Sequence, residues 1–334
     1  MASLAGRLKD KLLVPWFVRA SFGNVQRRLD RLERRLELLQ EALGRVESRQ
    51  ARSLDPVPDG AANSTLRPGE ALRPHEFRVF SQWGEDGIIR HLVDTVPVPR
   101  PLFVEIGVER YEEANTRFLL VDRNWSGLVI DGKPSHVAHI RQSRIYWLHN
   151  LKAVEAFVTR ENVDDLLRDA GVTGEIGLLS LDIDGMDYWV FEALEAVRPA
   201  IVVLEYNHRF GAEAEVTVPY DPGFDRRRAH HSLVYFGASL AALASLAARK
   251  GYDLVGCGRA GVNAFFVRRD LRPAHLPALT AAEAFVPGGF SEYHDAEGRR
   301  ARMSPAEESR LALSLPLVDV STPPAVPAAQ EPQP

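Results

Sequence analysis

The most regular pattern of apolar and polar positions runs from residue 22 to 46. Val25, Leu29, Leu32, Leu36, Leu39, Leu43 and Val46 recur at alternating steps of four and three. That is a heptad seam, with Leu29, Leu36 and Leu43 at a and the other four at d. Arg28 at g and Glu33 at the following e suit pairing between parallel helices. Such a stripe serves either a coiled coil or an amphipathic helix lying on its own domain. Its narrow width favours a coiled coil over residues 22–50, because a helix docked on a core carries a wider apolar face.

Residues 76–314 have a different rhythm. Strand-like apolar runs at 102–108, 126–132, 145–151, 176–183 and 200–207 alternate with helical patterns near 112–122, 134–143, 161–170 and 187–197. Alternation of this kind builds βαβ units and a parallel sheet, and continuously apolar strands are covered on both faces. A long excursion follows, 208–236. Then a helical stretch, "GASLAALASLAARKG", leads to "YDLVGCG", the short turn "RAG" and "VNAFFVRRD". Two strands joined so tightly are antiparallel. The predicted fold class is α/β: five parallel strands and a terminal antiparallel hairpin in one seven-stranded sheet, preceded by a coiled-coil helix.

Composition adds the appendages. Of 334 residues, 45% are hydrophobic and 26% charged, enough for one large core. The net charge of −4 excludes a polyelectrolyte binder, and no nucleic-acid partner is expected. The charge is nevertheless uneven: residues 1–35 hold nine Lys/Arg against three acids. The basic arm 1–21, with Trp16 and Phe17, suits an anionic membrane surface or a partner subunit equally. Residues 51–75 read as a Pro- and Gly-rich linker and 315–334 as a disordered tail. Cys257 is the sole cysteine, so an intrachain disulfide is excluded and a zinc cluster is not expected. No apolar run reaches the roughly 18 residues of a membrane span. A cytoplasmic protein is expected, peripheral to the inner membrane face if the arm meets lipid.

The phrases "FSQWGEDGII", "FVEIGVERYEEANTRFLL", "WSGLVIDG", "LLSLDIDGMDYWVFEAL" and "VVLEYN" resemble the FkbM-like group of class I S-adenosylmethionine (SAM) dependent methyltransferases. The resemblance spans residues 77 to about 270. It implies a Rossmann-like sheet of order 3-2-1-4-5-7-6, with SAM at the carboxyl edge where strand order reverses. Carried onto this chain, Glu105 and Gly107 would hold the amino-acid part of SAM, with help from Asn115. Asp131 would accept from the ribose hydroxyls, and Gln82 would fold over the cofactor. Asn150, at the expected end of the third strand, would face adenine. The chain departs from the pattern after Gly107, where Glu109-Arg110-Tyr111 stand in place of further glycines. Glu105 is otherwise a buried acid satisfied by backbone donors, and Asp131 otherwise shapes an Asp-Gly turn.

Asp182 and Asp184 stand where the fourth apolar run ends, and Glu205 and Asn207 where the fifth ends. Side chains two apart on a strand share a face. If the strands persist, three carboxylates and an amide converge, and like charges that close need a cation. Oxygen donors suit Mg²⁺. Metal-dependent O-methyltransferases of this fold place acids and an amide similarly, which implies a metal-activated hydroxyl. Asp182 and His208 are the catalytic candidates, with His230 and His231 behind them. The excursion 208–236 reads as a substrate lid or wall, and Arg226, Arg227 and Arg228 as either solvated or meeting an anionic substrate. The expected function is metal-assisted methyl transfer to a hydroxyl of a sugar, glycan or secondary metabolite, by a homo-oligomer. Two alternatives stay open: an Asp-x-Asp nucleotide-sugar glycosyltransferase, and a non-catalytic oligomeric scaffold.

Overall fold

The computed structural model describes residues 16–54 and 67–322. The expectations for residues 1–15, for 55–66 of the linker and for 323–334 of the tail lie outside the described residues. Helix α1 is Trp16–Leu54, longer than the heptad stretch alone. Then come α2 (Glu85–Thr95), β1 (Leu102–Ile106), α3 (Arg117–Arg123), β2 (Ser126–Asp131), α4 (Pro134–Gln142), α5 (Arg144–Leu148), β3 (Leu151–Glu155), α6 (Val163–Asp169), β4 (Gly174–Leu181), α7 (Asp187–Ala193) and β5 (Val197–Glu205). The excursion contains β6 (Val216–Thr217) and α8 (Arg226–Ala229). It is followed by α9 (Leu240–Arg249), β7 (Tyr252–Cys257), β8 (Asn263–Arg268), α10 (Ala281–Ala284), α11 (Pro305–Ser314) and β9 (Val318–Asp319).

One sheet has the order β3-β2-β1-β4-β5-β8-β7. Its first five strands are parallel, and β8 runs antiparallel to both β5 and β7. Leaving out β6, which pairs with β9 in a separate two-stranded ribbon, this is the Rossmann-like class I methyltransferase order expected above. The strands are apolar throughout because both faces are covered. Ile106, Leu181 and Leu204 face one layer, and Phe103, Val129 and Val203 the other. Helix ends follow local chemistry. Ser239 Oγ accepts from the Ala242 amide to start α9, and Ser304 with Glu307 forms a capping box before α11.

Three expectations are corrected. The third strand is not 145–151: "RIYWL" is the short helix α5, and the strand is "LKAVE", alternating buried and exposed. It is the edge strand of the sheet, so its alternation is weak, whereas the aromatic run beside it is conspicuous but lies outside the core. Trp147 is 76% exposed. The linker ends early, because Leu72 is buried and packs on Gly256. The tail starts late, because β9 pairs with β6 and the Val320 amide donates to Glu215.

The heptad seam lies open. Val25, Leu29, Leu32, Leu36, Leu39, Leu43 and Val46 are 46–66% exposed. Helix α1 meets the domain through a different face. A Cβ on Gly44 would come within 2.4 Å of Val79 and 2.9 Å of Phe118, and Arg45 faces Asp122. The helix thus touches its own domain without covering its leucines. Among the described residues no helix is long and apolar enough to cross a membrane.

Candidate functional site

The carboxyl edge of the sheet gathers the candidate residues at the point where order reverses, between β1 and β4. Glu105 is 5% exposed. Its carboxylate accepts from the amides of Asn115 (2.8 Å) and Thr116 (3.1 Å) and from the Thr116 hydroxyl. Burial pushes its carboxyl up to about 7 against the pull of these donors. The Tyr111 phenol sits beside it, with its oxygen 2.9 Å from Thr116 Oγ1. Asn115 donates its side-chain amide to Ser180 at 3.0 Å.

The turn after β1 carries the main signal. Gly107 has φ +86°, and a Cβ there would lie 1.6 Å from the Asp182 carbonyl, so both its conformation and the approach of β4 require glycine. Glu109 (φ +48°) and Tyr111 (φ +61°) are left-handed too. The chain therefore keeps left-handed backbone at 107, 109 and 111, although two of the three residues are not glycine. Non-glycine residues in this region are uncommon and carry strain. The Glu109 amide donates to Asp131 Oδ2 at 2.8 Å. Asp131 Oδ1 accepts from Lys133 N at 2.8 Å and lies 3.1 Å from His136 Nδ1.

Gln82 is exposed. Its loop is fixed by buried Asp86, whose Oδ2 accepts from the amides of Val79, Phe80 and Ser81 at 2.7–2.8 Å. Glu85 joins the same loop to β8 through Asn263 at 3.0 Å. Neighbouring Trp83 stacks on Phe290, with centroids 5.2 Å apart.

Of the four expected metal donors, the structure brings two together. The carboxyl groups of Asp182 and Glu205 lie close enough for each to act electrostatically on the other. Glu205 Oε2 is buried with no hydrogen-bond partner. Burial first, then neighbouring acids, raise both well above the usual carboxylate range; Asp184 and Asp187 act on Asp182, and Asp182 and Asp184 on Glu205. Asp184 parts from the pair because β4 stops at Leu181 and Asp184 is left-handed at φ +58°. It ion-pairs with Arg226 at 2.8 Å. Asn207 is fully buried, donating to the carbonyls of Val234 (2.9 Å) and Phe236 (3.0 Å) and accepting from Arg209 N. Its amide pins the excursion instead of facing the acids. The four residues thus do not form the expected cage. Among the described residues no group of three or more His, Cys, Asp or Glu is arranged to hold a metal ion.

His208 lies apart from this pair. A Cβ on Gly288 would come within 2.1 Å of its ring, Phe290 is 5.8 Å away, and burial followed by Arg209 lowers its pKa to about 4. The imidazole is neutral and wedged under the 286–290 loop. His230 Nδ1 meets Ser232 Oγ at 2.7 Å, within the excursion.

The excursion folds over the end of β4. Phe224 fills the space beside Gly185, Asp221 N meets Met186 Sδ, and Trp189 Nε1 donates to the Val218 carbonyl. Buried Arg209 and Glu308, 2.6 Å apart, tie it to α11.

Three contributors escaped the sequence reading. Asp187, buried, shapes the loop by accepting from the amides of Ile183 and Gly185. Its signal was an acid in a helical first turn. Phe157 stands just past β3 beside Gly132, 58% exposed. Finding it required the correct third strand. Asn150 consequently sits at the opposite edge, donating to Ser126. It lines a cavity of about 380 Å³ with Arg100, Gly127 and Lys152. That cavity is at the amino ends of the strands, away from the edge where open α/β sheets bind ligands. Tyr111 is the third; nothing in its sequence context marks a buried phenol.

No family profile matches the chain, and no curated protein matches it. Solved structures with similarity include the N-terminal domain of EvdMO1 with S-adenosylhomocysteine (SAH) bound, at 12% identity, 67% of this chain, 94% of that chain and TM-score 0.36. An O-methyltransferase from Bacillus cereus in complex with SAH shows 10% identity, 67% and 89% coverage and TM-score 0.36. A ribosomal protein L11 methylase from Lactobacillus delbrueckii subsp. bulgaricus shows 12%, 54%, 77% and 0.33. Similarity at this level says nothing of chemistry, and the fold assignment rests on the strand order itself.

Proposed function

We propose that the chain is a SAM-dependent O-methyltransferase of the FkbM-like type, acting on a hydroxyl of a sugar, glycan or secondary metabolite. The observation that carries this is the turn at 107–111. Left-handed backbone persists at three alternate positions where two residues are strained by it, and strain of that kind is retained where function over-determines it. The turn sits between Glu105 and Asp131, at the edge where the order reverses.

SAM supplies a methyl group on a cationic sulfur, which leaves as a neutral thioether. The chain's part is alignment and proton removal. Glu105, once ionised, would hold the ammonium end, and Asp131 the ribose. The acceptor oxygen loses its proton to the Asp182–Glu205 pair, whose affinity for protons is raised by burial and by the neighbouring acids. With SAM bound, the acceptor oxygen would take the methyl carbon as the carbon–sulfur bond breaks, the bonding pair staying with sulfur. His208, neutral and wedged, supports the acceptor wall, with Trp83 and Phe290 beside it. The open seam of α1 supports a homo-oligomer.

Isothermal titration tests the reading: SAH binds and a UDP-sugar does not. An Asp-x-Asp glycosyltransferase would reverse that result, and Asp184 turning to Arg226 speaks against it. A non-catalytic scaffold would bind neither, and the Tyr111 phenol packed on the Glu105 network favours that second reading.

A further inference from the structure

Two neighbouring strands that end in carboxylates require a compensating charge. Here that charge belongs to a side chain. Arg226 opens α8 in the excursion, and its side chain is 14% exposed. Its Nη1 donates to Asp184 Oδ1 at 2.8 Å, its Nη2 to Glu292, and its Nε to the Leu233 carbonyl at 2.9 Å. The guanidinium lies 3.7 Å from the centre of the Phe236 ring. It also acts electrostatically on Glu205 and Asp182. Arg226 therefore joins three segments: the loop after β4, the excursion, and the loop around Glu292. A planar, always-charged fork held on an aromatic face suits such a fixed post better than a lysine would.

We propose that Arg226 is the resident cation of this strand end, standing where a divalent ion would otherwise be required, and that the excursion delivers it. Asp184 is directed to Arg226 and Asn207 to the excursion's carbonyls, so the donors left over do not encircle a small hard ion. Movement of the excursion would carry the positive charge away from Asp182 and Glu205. Cation supply and closure over the acceptor thus become one event.

Mn²⁺ serves as the probe, read on the full chain by electron paramagnetic resonance of the free ion. This readout is independent of SAM, so it and the SAH titration can fail separately. Wild type should hold no Mn²⁺ at millimolar concentration. Arg226→Met keeps the aliphatic contact with Phe236 but frees the acids, and should bind at least roughly ten-fold more tightly. Arg226→Lys should stay refractory, and Glu205→Gln added to Arg226→Met should remove the gain. Wild type binding as tightly as Arg226→Met, or no gain in Arg226→Met, overturns the proposal. If Arg226→Met does not fold, wild type still decides. Paramagnetic broadening of the amides of Asp182 to Gly185 by Mn²⁺ overturns the proposal, and intact signals support it.

Discussion

The amide of Glu109 donates to the carboxylate of Asp131 across 2.8 Å, so the acid that ends β2 holds the turn that follows β1. The same carboxylate accepts from Lys133 N, and two loops of the donor crevice depend on it. Asp131→Ala should cost about 1–3 kcal/mol, the range for leaving polar groups unpaired. It should also weaken SAH binding at least roughly ten-fold through the lost ribose contacts. Asp131→Asn keeps one acceptor and should fall between. Thermal denaturation and calorimetry on the same samples separate the two effects. SAH affinity unchanged in Asp131→Ala would remove the ribose role.

Glu109 itself is exposed and left-handed. Glycine relieves the steric cost there but loses more entropy on folding, so Glu109→Gly should stabilise by several tenths to about 1 kcal/mol. SAH affinity should hold, because the amide to Asp131 remains. A destabilised variant would mean that the Glu109 side chain contributes something the backbone does not explain.

Glu105 gives a pH signature of two opposite signs. Its carboxyl ionises near 4.5 in the unfolded chain and at about 7 in the folded one. Between those values the folded state retains a proton that the unfolded state has released. Stability therefore falls as pH rises through this window. Asp86 and Asp187, raised to about 6 by burial, act in the same direction. SAH binding should instead tighten as pH climbs through 7, because the ligand's ammonium needs the ionised carboxylate. Glu105→Gln should flatten both curves. Parallel slopes in wild type and variant would show that Glu105 is not the group responsible.

The fold was largely legible, and for one reason: strands buried on both faces are apolar throughout, so β1, β2, β4 and β5 stood out. β3 did not, because an edge strand alternates and the aromatic run of α5 lies beside it. The site was legible in its placement and not in its directions. Asp182 and Asp184 differ by two positions, and a shared face followed only if the strand continued. It ends at Leu181, and the left-handed Asp184 turns to Arg226. Asn207 was misdirected for a related reason: its partners, the carbonyls of Val234 and Phe236, belong to an excursion whose path the sequence does not reveal.

Glu205→Gln replaces the buried carboxyl beside Asp182 by a neutral amide of the same shape. One of the two neighbouring buried acids disappears with little change in packing. Stability should be kept or raised at pH 7 and above, because the raised carboxyl no longer has to ionise there. Methyl transfer should fall by about 10²-fold or more, the usual weight of a general base. Undiminished transfer in Glu205→Gln and in Asp182→Asn would place the base elsewhere.

The seam of α1 predicts an assembly that can be separated from the domain's own stability. Its seven apolar positions are exposed, while Gly44 and Arg45 make the contact with Val79, Phe118 and Asp122. Burying a leucine side chain is worth about 1.5–3 kcal/mol, so a few paired heptads supply enough to associate at micromolar concentration, and charge at the centre should abolish it. Leu32→Lys with Leu36→Glu and Leu39→Lys should reduce the mass seen by light scattering to that of one chain. The thermal midpoint of the domain should stay close to wild type, because all three side chains are exposed. Gly44→Leu should do the converse, loosening the helix from Val79 and Phe118 while the oligomer persists. A wild-type chain that is monomeric at all accessible concentrations would mean that the leucines are covered by something other than a second copy.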